Sequence, residues 1–217
     1  MARSGAKRRV GPGPSTGSEE TRRVLVGATI EALREEGFSG TSAREIARRA
    51  GCNQGLVFYH FGSVTNLLLA ALDEVSALRL ARYQGAVDEA DDLGQLVATA
   101  ESVFVEDLDA GFISVLTEMM AGASSTPGLG AEVAARIAPW RLFAADAMRD
   151  TLADTPFAQL VAPEELAHAV VALYLGLEML AHLDGDRSLA LALFERARQI
   201  AGLLGALSAV PVTKEEP

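Results

Sequence analysis

Two glutamate–histidine pairs in the C-terminal third stand at helical spacing: Glu165 with His168 at i,i+3, and Glu178 with His182 at i,i+4. The first has the spacing that supplies two ligands to a dinuclear metal centre in a helical bundle. Such a centre also needs a second pair and two further glutamates. Glu101, Glu106 and Asp107 do not complete that register. A metal-dependent enzyme or a helical ligand carrier is therefore the minor reading, and neither a metal ligand nor a cofactor is expected. No serine, cysteine or glycine-loop constellation offers covalent or phosphate chemistry. Glu178 and His182 read more simply as a satisfied polar pair at a helix interface, or as contacts to a ligand.

The other residues able to do chemistry cluster between Gly37 and Leu72. Ser42 and Glu45, three apart, form a capping-box pattern opening a short helix through Ala50. Gly51-Cys52-Asn53 makes a tight turn, and Gln54–Phe61 forms a second short helix stopped by Gly62. Ser63 then caps a longer helix to about Ala81, with Leu68, Leu72 and Val75 inward. Two short helices around a three-residue turn define a DNA-reading helix-turn-helix. Ile46 and Val57 face its core, Ala47 permits close helix approach, and Gly51 takes a backbone conformation that bulkier residues resist. Gln54, Gly55, Leu56 and Tyr59 then project outward, where a major groove could receive them.

Gly37, Thr41, Ser42, Ile46, Ala47, Ala50, Gly51, Gly55, Val57, His60 and Phe61 stand as they do in the DNA-binding domain of the tetracycline-repressor (TetR) family. The segment resembles that domain over about 36 residues, and the chain's length and helical remainder extend the likeness. The resemblance implies that Thr41 and Ser42 hydrogen-bond phosphates at a helix start. It implies that Arg44 reaches a base edge, that Asn53, Gln54, Gly55 and Leu56 lie against DNA, and that Tyr59 and His60 contact phosphates. Phe58 replaces a usual tyrosine, Leu56 a threonine or serine, and Val64 a frequent lysine, so backbone anchoring is weakened there. Cys52 reads as a small buried hydrophobe; a thiol switch is the alternative.

Charge divides along the chain. Residues 1–62 hold ten basic and six acidic groups, +4, which leaves −14 on the remainder of a chain of net charge −10. A basic head on an acidic body orients the molecule toward phosphates. Residues 1–17 read as a disordered basic arm, either a solubilising tail or a phosphate or minor-groove contact. The head spans 18–63, with Ser18 capping a first helix whose face carries Val26, Ile30 and Leu33 and which ends at Gly37. A helical effector-binding and dimerisation domain spans 64–209, and a disordered tail 210–217. The fold class is thus all-α.

No apolar stretch follows the basic N-terminus, and the single cysteine suits a reducing compartment, so a cytoplasmic location is expected. Leu166–Leu183 reaches the length of a membrane span, but His168, Glu178, His182 and acidic flanks argue for burial in protein. The last two helices, about Glu164–Leu183 and Ser188–Ala206, carry apolar residues on more than one face and so need two partners. Leu177, His182, Leu193, Ala197, Ile200 and Leu204 are the expected homodimer contacts, and the resemblance implies a four-helix bundle there. Phe104, Leu108, Phe112, Leu116, Met119, Met120, Trp140, Phe143, Met148, Tyr174 and Glu178 are the expected pocket for an apolar or amphipathic effector. The expected function is sequence-specific regulation on a palindromic double-stranded operator, with repression relieved by that effector. An activator or a non-sensing autoregulator would share the head.

Overall fold

A computed structural model of the chain describes residues 16–90, 92–152 and 161–208, and among these it contains helices and no strand. The expected arm (apart from its last two residues), the expected tail and the loop around Thr155-Pro156 lie outside the described residues. The helices are α1 (Thr16–Gly40), α2 (Ala43–Arg49), α3 (Gly55–Phe61), α4 (Val64–Asp88) and α5 (Leu93–Ala110). They continue as α6 (Phe112–Ala123), α7 (Leu129–Leu152), α8 (Pro163–Asp184) and α9 (Ser188–Ser208).

Helix α1 begins before Ser18, which therefore lies inside the first turn rather than capping it. Its buried face is Leu25, Ala28, Thr29, Ala32 and Leu33; of the expected stripe Leu33 is fully buried, while Val26 and Ile30 are half-buried beside that face. Thr29 can join that face because its hydroxyl donates to the Leu25 carbonyl at 2.7 Å. Gly37 breaks the helix as expected (φ 70°, ψ −179°), but one further turn follows to Gly40. A side chain at Gly37 would be strained by that φ, and its Cβ would stand 2.9 Å from a carboxylate oxygen of Glu118.

Two cores result. Leu25, Ala28, Ile46, Ala47, Val57, Phe61 and Leu67 close the head. Leu33, Leu68, Leu72, Val75, Ile113, Met119 and Leu129 begin the body. Helices α1 and α4 enter both, so head and body share two continuous rods. A second latch joins them on α6: the Phe38 amide donates to Glu118 Oε2 at 2.7 Å, and the Phe38 ring occupies the space a side chain at Gly122 would need.

By length and composition α8 could cross a membrane. It packs against α7 and α6 and buries Glu178, while Val170, Leu173, Leu180 and Leu183 face outward. Helix α9 is two-faced as expected, with Ala190, Phe194 and Ala201 inward and Leu189, Leu193, Ile200 and Leu203 outward.

Candidate nucleic-acid interface and body cavity

Helix α2 starts where Ser42 Oγ accepts from the Glu45 amide at 3.2 Å. The return half of the capping box is replaced: the Glu45 carboxylate binds Arg48 and Arg49 instead, and the Arg48 guanidinium first holds its carboxyl down to about 2. Arg49 also grips Glu35 and Glu36, tying α2 to the end of α1. Inside, Ile46 and Val57 are fully buried at the crossing of α2 and α3.

Helix α3 has seven residues, so most of its backbone groups lack intrahelical partners. Asn53 Oδ1 accepts from the Gly55 amide at 2.7 Å at its start. At its end Asn66 donates to the Phe61 carbonyl at 2.9 Å, and Arg22 donates to the His60 carbonyl at 2.7 Å while stacking on the Phe61 ring. These ties fix the direction in which α3 presents its outer face. That face shows Gln54, Gly55, Phe58 and Tyr59, the last 79% exposed and edge-on to the half-buried His60.

Two expectations need correction. Thr41 is buried and its hydroxyl donates to the Gly37 carbonyl at 2.7 Å, so it closes the α1–α2 corner instead of facing phosphate. Leu56 is half-buried against the head core, because α3 turns Phe58 outward in its place. Phe58, 48% exposed, was read only as a lost tyrosine hydroxyl; its i,i+4 spacing from Gln54 put it on the outer face. Ser42, Asn53 and Arg44 are exposed. Whereas Arg23, Arg48 and Arg49 are paired with carboxylates, Arg44 has no ion pair among the described residues. Cys52 is half-buried and packs on the head core.

The body holds a part-open cavity of about 360 Å³ between α4, α5, α6, α7, α8 and α9. Phe112, Leu116, Trp140, Phe143, Met148 and Tyr174 line it as expected. The other expected pocket residues do not: Phe104 and Met119 are core, Leu108 packs behind them, Met120 is 44% exposed, and Glu178 is fully buried outside the lining. Alternation around a helix separates them, since Leu116 and Met120 share one stripe only until α6 leaves the cavity. Leu177, Leu193 and Ala197, expected at a dimer contact, border the cavity, and Leu193 is also 48% exposed. Leu204 is half-buried, while Ile200 and His182 are exposed.

The expected Glu178–His182 pair is not formed. Glu178 points inward, fully buried, and accepts from Arg79 Nη2 at 2.9 Å. Arg79 also binds Asp107 through Nε (2.8 Å) and Nη2, and Tyr83 donates to Asp107 at 3.2 Å while bonding Tyr174. Burial pushes the Glu178 carboxyl up to about 7, with Asp107 adding to the rise and Arg79 opposing it. Burial likewise pushes the Tyr83 and Tyr174 phenols upward. Sequence reading found Glu178 and Tyr174 but missed Arg79, Tyr83 and Asp107. Arg79 and Tyr83 are i,i+4 in an apolar helix, a pattern as common on solvated faces, so only the fold reveals it. Glu165 and His168 are both exposed, and no cluster of metal-binding side chains occurs among the described residues.

Geometry thus defines a helix-turn-helix head on an all-helical body that holds an apolar cavity. Residues 25–71 match the sequence profile of bacterial regulatory proteins of the tetR family. An HTH-type transcriptional repressor of Mycobacterium tuberculosis is 42% identical over 60 residues, 28% of this chain and 32% of the relative. The HTH-type transcriptional regulator TtgR of Pseudomonas putida is 32% identical over 91 residues, 41% of this chain and 43% of the relative. These matches span about a third to two-fifths of the curated relatives' length. A TetR-family regulator of Cytophaga hutchinsonii shares the fold with a TM-score of 0.73 at 16% identity, covering 88% of this chain and 97% of that one. The multidrug binding protein EbrR, solved with imidazole, does so with a TM-score of 0.59 at 24% identity, covering 89% and 98%. Residues 25–71 thus carry the tetR-family profile, and the chain as a whole shares the fold of solved regulators of that family.

Proposed function

We propose that this protein is a sequence-specific DNA-binding transcriptional regulator, a repressor released from its operator when a small apolar or amphipathic effector enters the body cavity. One observation carries the reading: the inner face of α3 is fixed in the head core by Val57 and Phe61, while its outer face holds Gln54, Phe58 and Tyr59 in solvent. Buried positions of that kind serve folding; a rigid helix with exposed aromatic and amide groups serves recognition. Relatives that share the head carry the names of transcriptional repressor and regulator.

The outward leucines of α8 and α9 (Leu173, Leu180, Leu189 and Leu203 among them) form the face on which a second copy packs, giving a two-fold dimer. Its two recognition helices would meet successive major-groove faces of a palindromic site, about 34–36 Å apart. A cytoplasmic location accords with that role. The head 18–63 reads DNA and the body 64–209 dimerises and senses, with α1 and α4 running between. Selection of bound duplexes from a random pool tests this. Enrichment of an inverted repeat with half-sites one helical turn apart, or a multiple of it, is the expected result; recovery of unenriched DNA refutes it.

A further inference from the structure

The cavity's charged surroundings indicate the sign of the molecule it takes. Its lining is mostly apolar, with the hydroxyls of Ser76, Tyr83, Thr99 and Tyr174 and two ionic side chains, Arg79 and Arg136. Each is held by two carboxylates: Arg79 by Asp107 and Glu178, Arg136 by Asp73 and Glu132. Each group therefore sums to −1 when its carboxylates are ionised. The Arg79 group is the telling one, because all three members are buried. A buried excess negative charge is costly unless a cation or a proton offsets it. Glu178 shows the second remedy already in use, since burial and Asp107 push its carboxyl up to about 7.

The walls next to this group suit a cation. Tyr83 stands at the centre of an aromatic cluster, 5.4 Å from Trp140, 6.4 Å from Phe143 and 6.3 Å from Tyr174, and all four rings line the cavity. Ring faces carry negative potential and attract positive groups, most strongly where water is excluded. The Arg79 guanidinium, 5.2 Å from the Trp140 ring centroid, already uses one of them. Arg79 might suggest an anionic ligand, but its charge is more than matched by its own two carboxylates.

Building on the reading of the cavity as an effector site, we infer that its ligand is an organic cation: a compact positive head against the Tyr83–Trp140–Phe143 walls, with an apolar remainder along the rest of the cavity. The head supplies the positive charge that the Arg79–Asp107–Glu178 group lacks.

Three probes with one tail separate the possibilities: decyltrimethylammonium, decanol and decanoate, each below its aggregation concentration. Trp140, the chain's single tryptophan, lines the cavity and reports binding by its fluorescence. At pH 8 the cation is expected to bind the full-length protein at least about tenfold more tightly than decanol, and decanoate more weakly still; each tenfold is about 1.4 kcal/mol. Glu178→Gln, which removes one negative charge at nearly constant shape, is expected to narrow the cation-over-alcohol ratio to under about threefold. Asp107→Asn makes the same test if the first variant fails to keep the wild-type helical circular dichroism. Equal binding of cation and alcohol, a ratio unmoved by both variants, or tightest binding by decanoate overturns the inference and leaves the effector cavity standing. If none of the three alters Trp140 emission, the cavity reading falls with it.

Discussion

Replacing Glu178 by glutamine should change how the protein's stability responds to pH. In the folded state the Glu178 carboxyl is pushed up to about 7 by burial, against 4.5 for the unperturbed group. Folding therefore favours the protonated form. The wild type binds more protons at this site folded than unfolded between those two values, so its stability falls as pH rises through them, and the loss is complete above both. At roughly 1.4 kcal/mol per unit of displacement, the full loss is about 3 kcal/mol. Glutamine is neutral throughout and escapes it. Urea unfolding, followed by circular dichroism at one protein concentration and at pH 5, 6.5 and 8, should show the wild type losing about 2 kcal/mol more than Glu178→Gln across that range. The other titrating groups are common to both proteins and cancel in the difference. Parallel pH profiles, or a steeper decline in the variant, would refute the buried-charge argument.

Three further outcomes follow from the head and its latch. Arg44→Ala should weaken binding to the selected operator by about 1–3 kcal/mol and relax preference at one base pair, measured by fluorescence anisotropy on single-substituted duplexes; unchanged selectivity would remove Arg44 from base contact. Tyr59→Ala should lose affinity evenly across those duplexes, and a loss confined to one position would contradict its assignment to phosphate. Gly122→Ala puts a methyl where the Phe38 ring lies and should lower unfolding stability by about 1–3 kcal/mol, whereas a neutral substitution would mean that Phe38 leaves α6 freely.

The head was legible because its chemistry is local. Ser42 caps over three residues, Gly37 and Gly62 stop helices by their own backbone freedom, and Ile46 and Val57 meet across a single short turn. Where local pattern competes with packing the reading slipped: Thr41 looked like a phosphate ligand until its hydroxyl was seen to serve Gly37, and Leu56 yielded the outer face to Phe58. The body was harder because its site is made by distant residues. Glu178 lies 99 residues from Arg79, and His182, its nearer helical neighbour, turns to solvent instead. Composition marked the mid-body aromatics correctly as a group, but which of them bound a cavity and which filled a core depended on helix rotation. That is why Phe104 and Met119 became core while Leu193 and Ala197 joined the cavity wall.

The central claim is that one chain couples a DNA-reading head to a ligand-holding body, and reciprocity tests it most directly. Operator affinity should be measured by anisotropy with the cavity empty and with it saturated by decyltrimethylammonium, using Trp140 fluorescence to follow occupancy in the same samples. A 5- to 150-fold weakening of operator binding is expected, the effect of a coupling of about 1–3 kcal/mol, with an equal weakening of the cation by operator. Saturation of the cavity with operator affinity unchanged would contradict it.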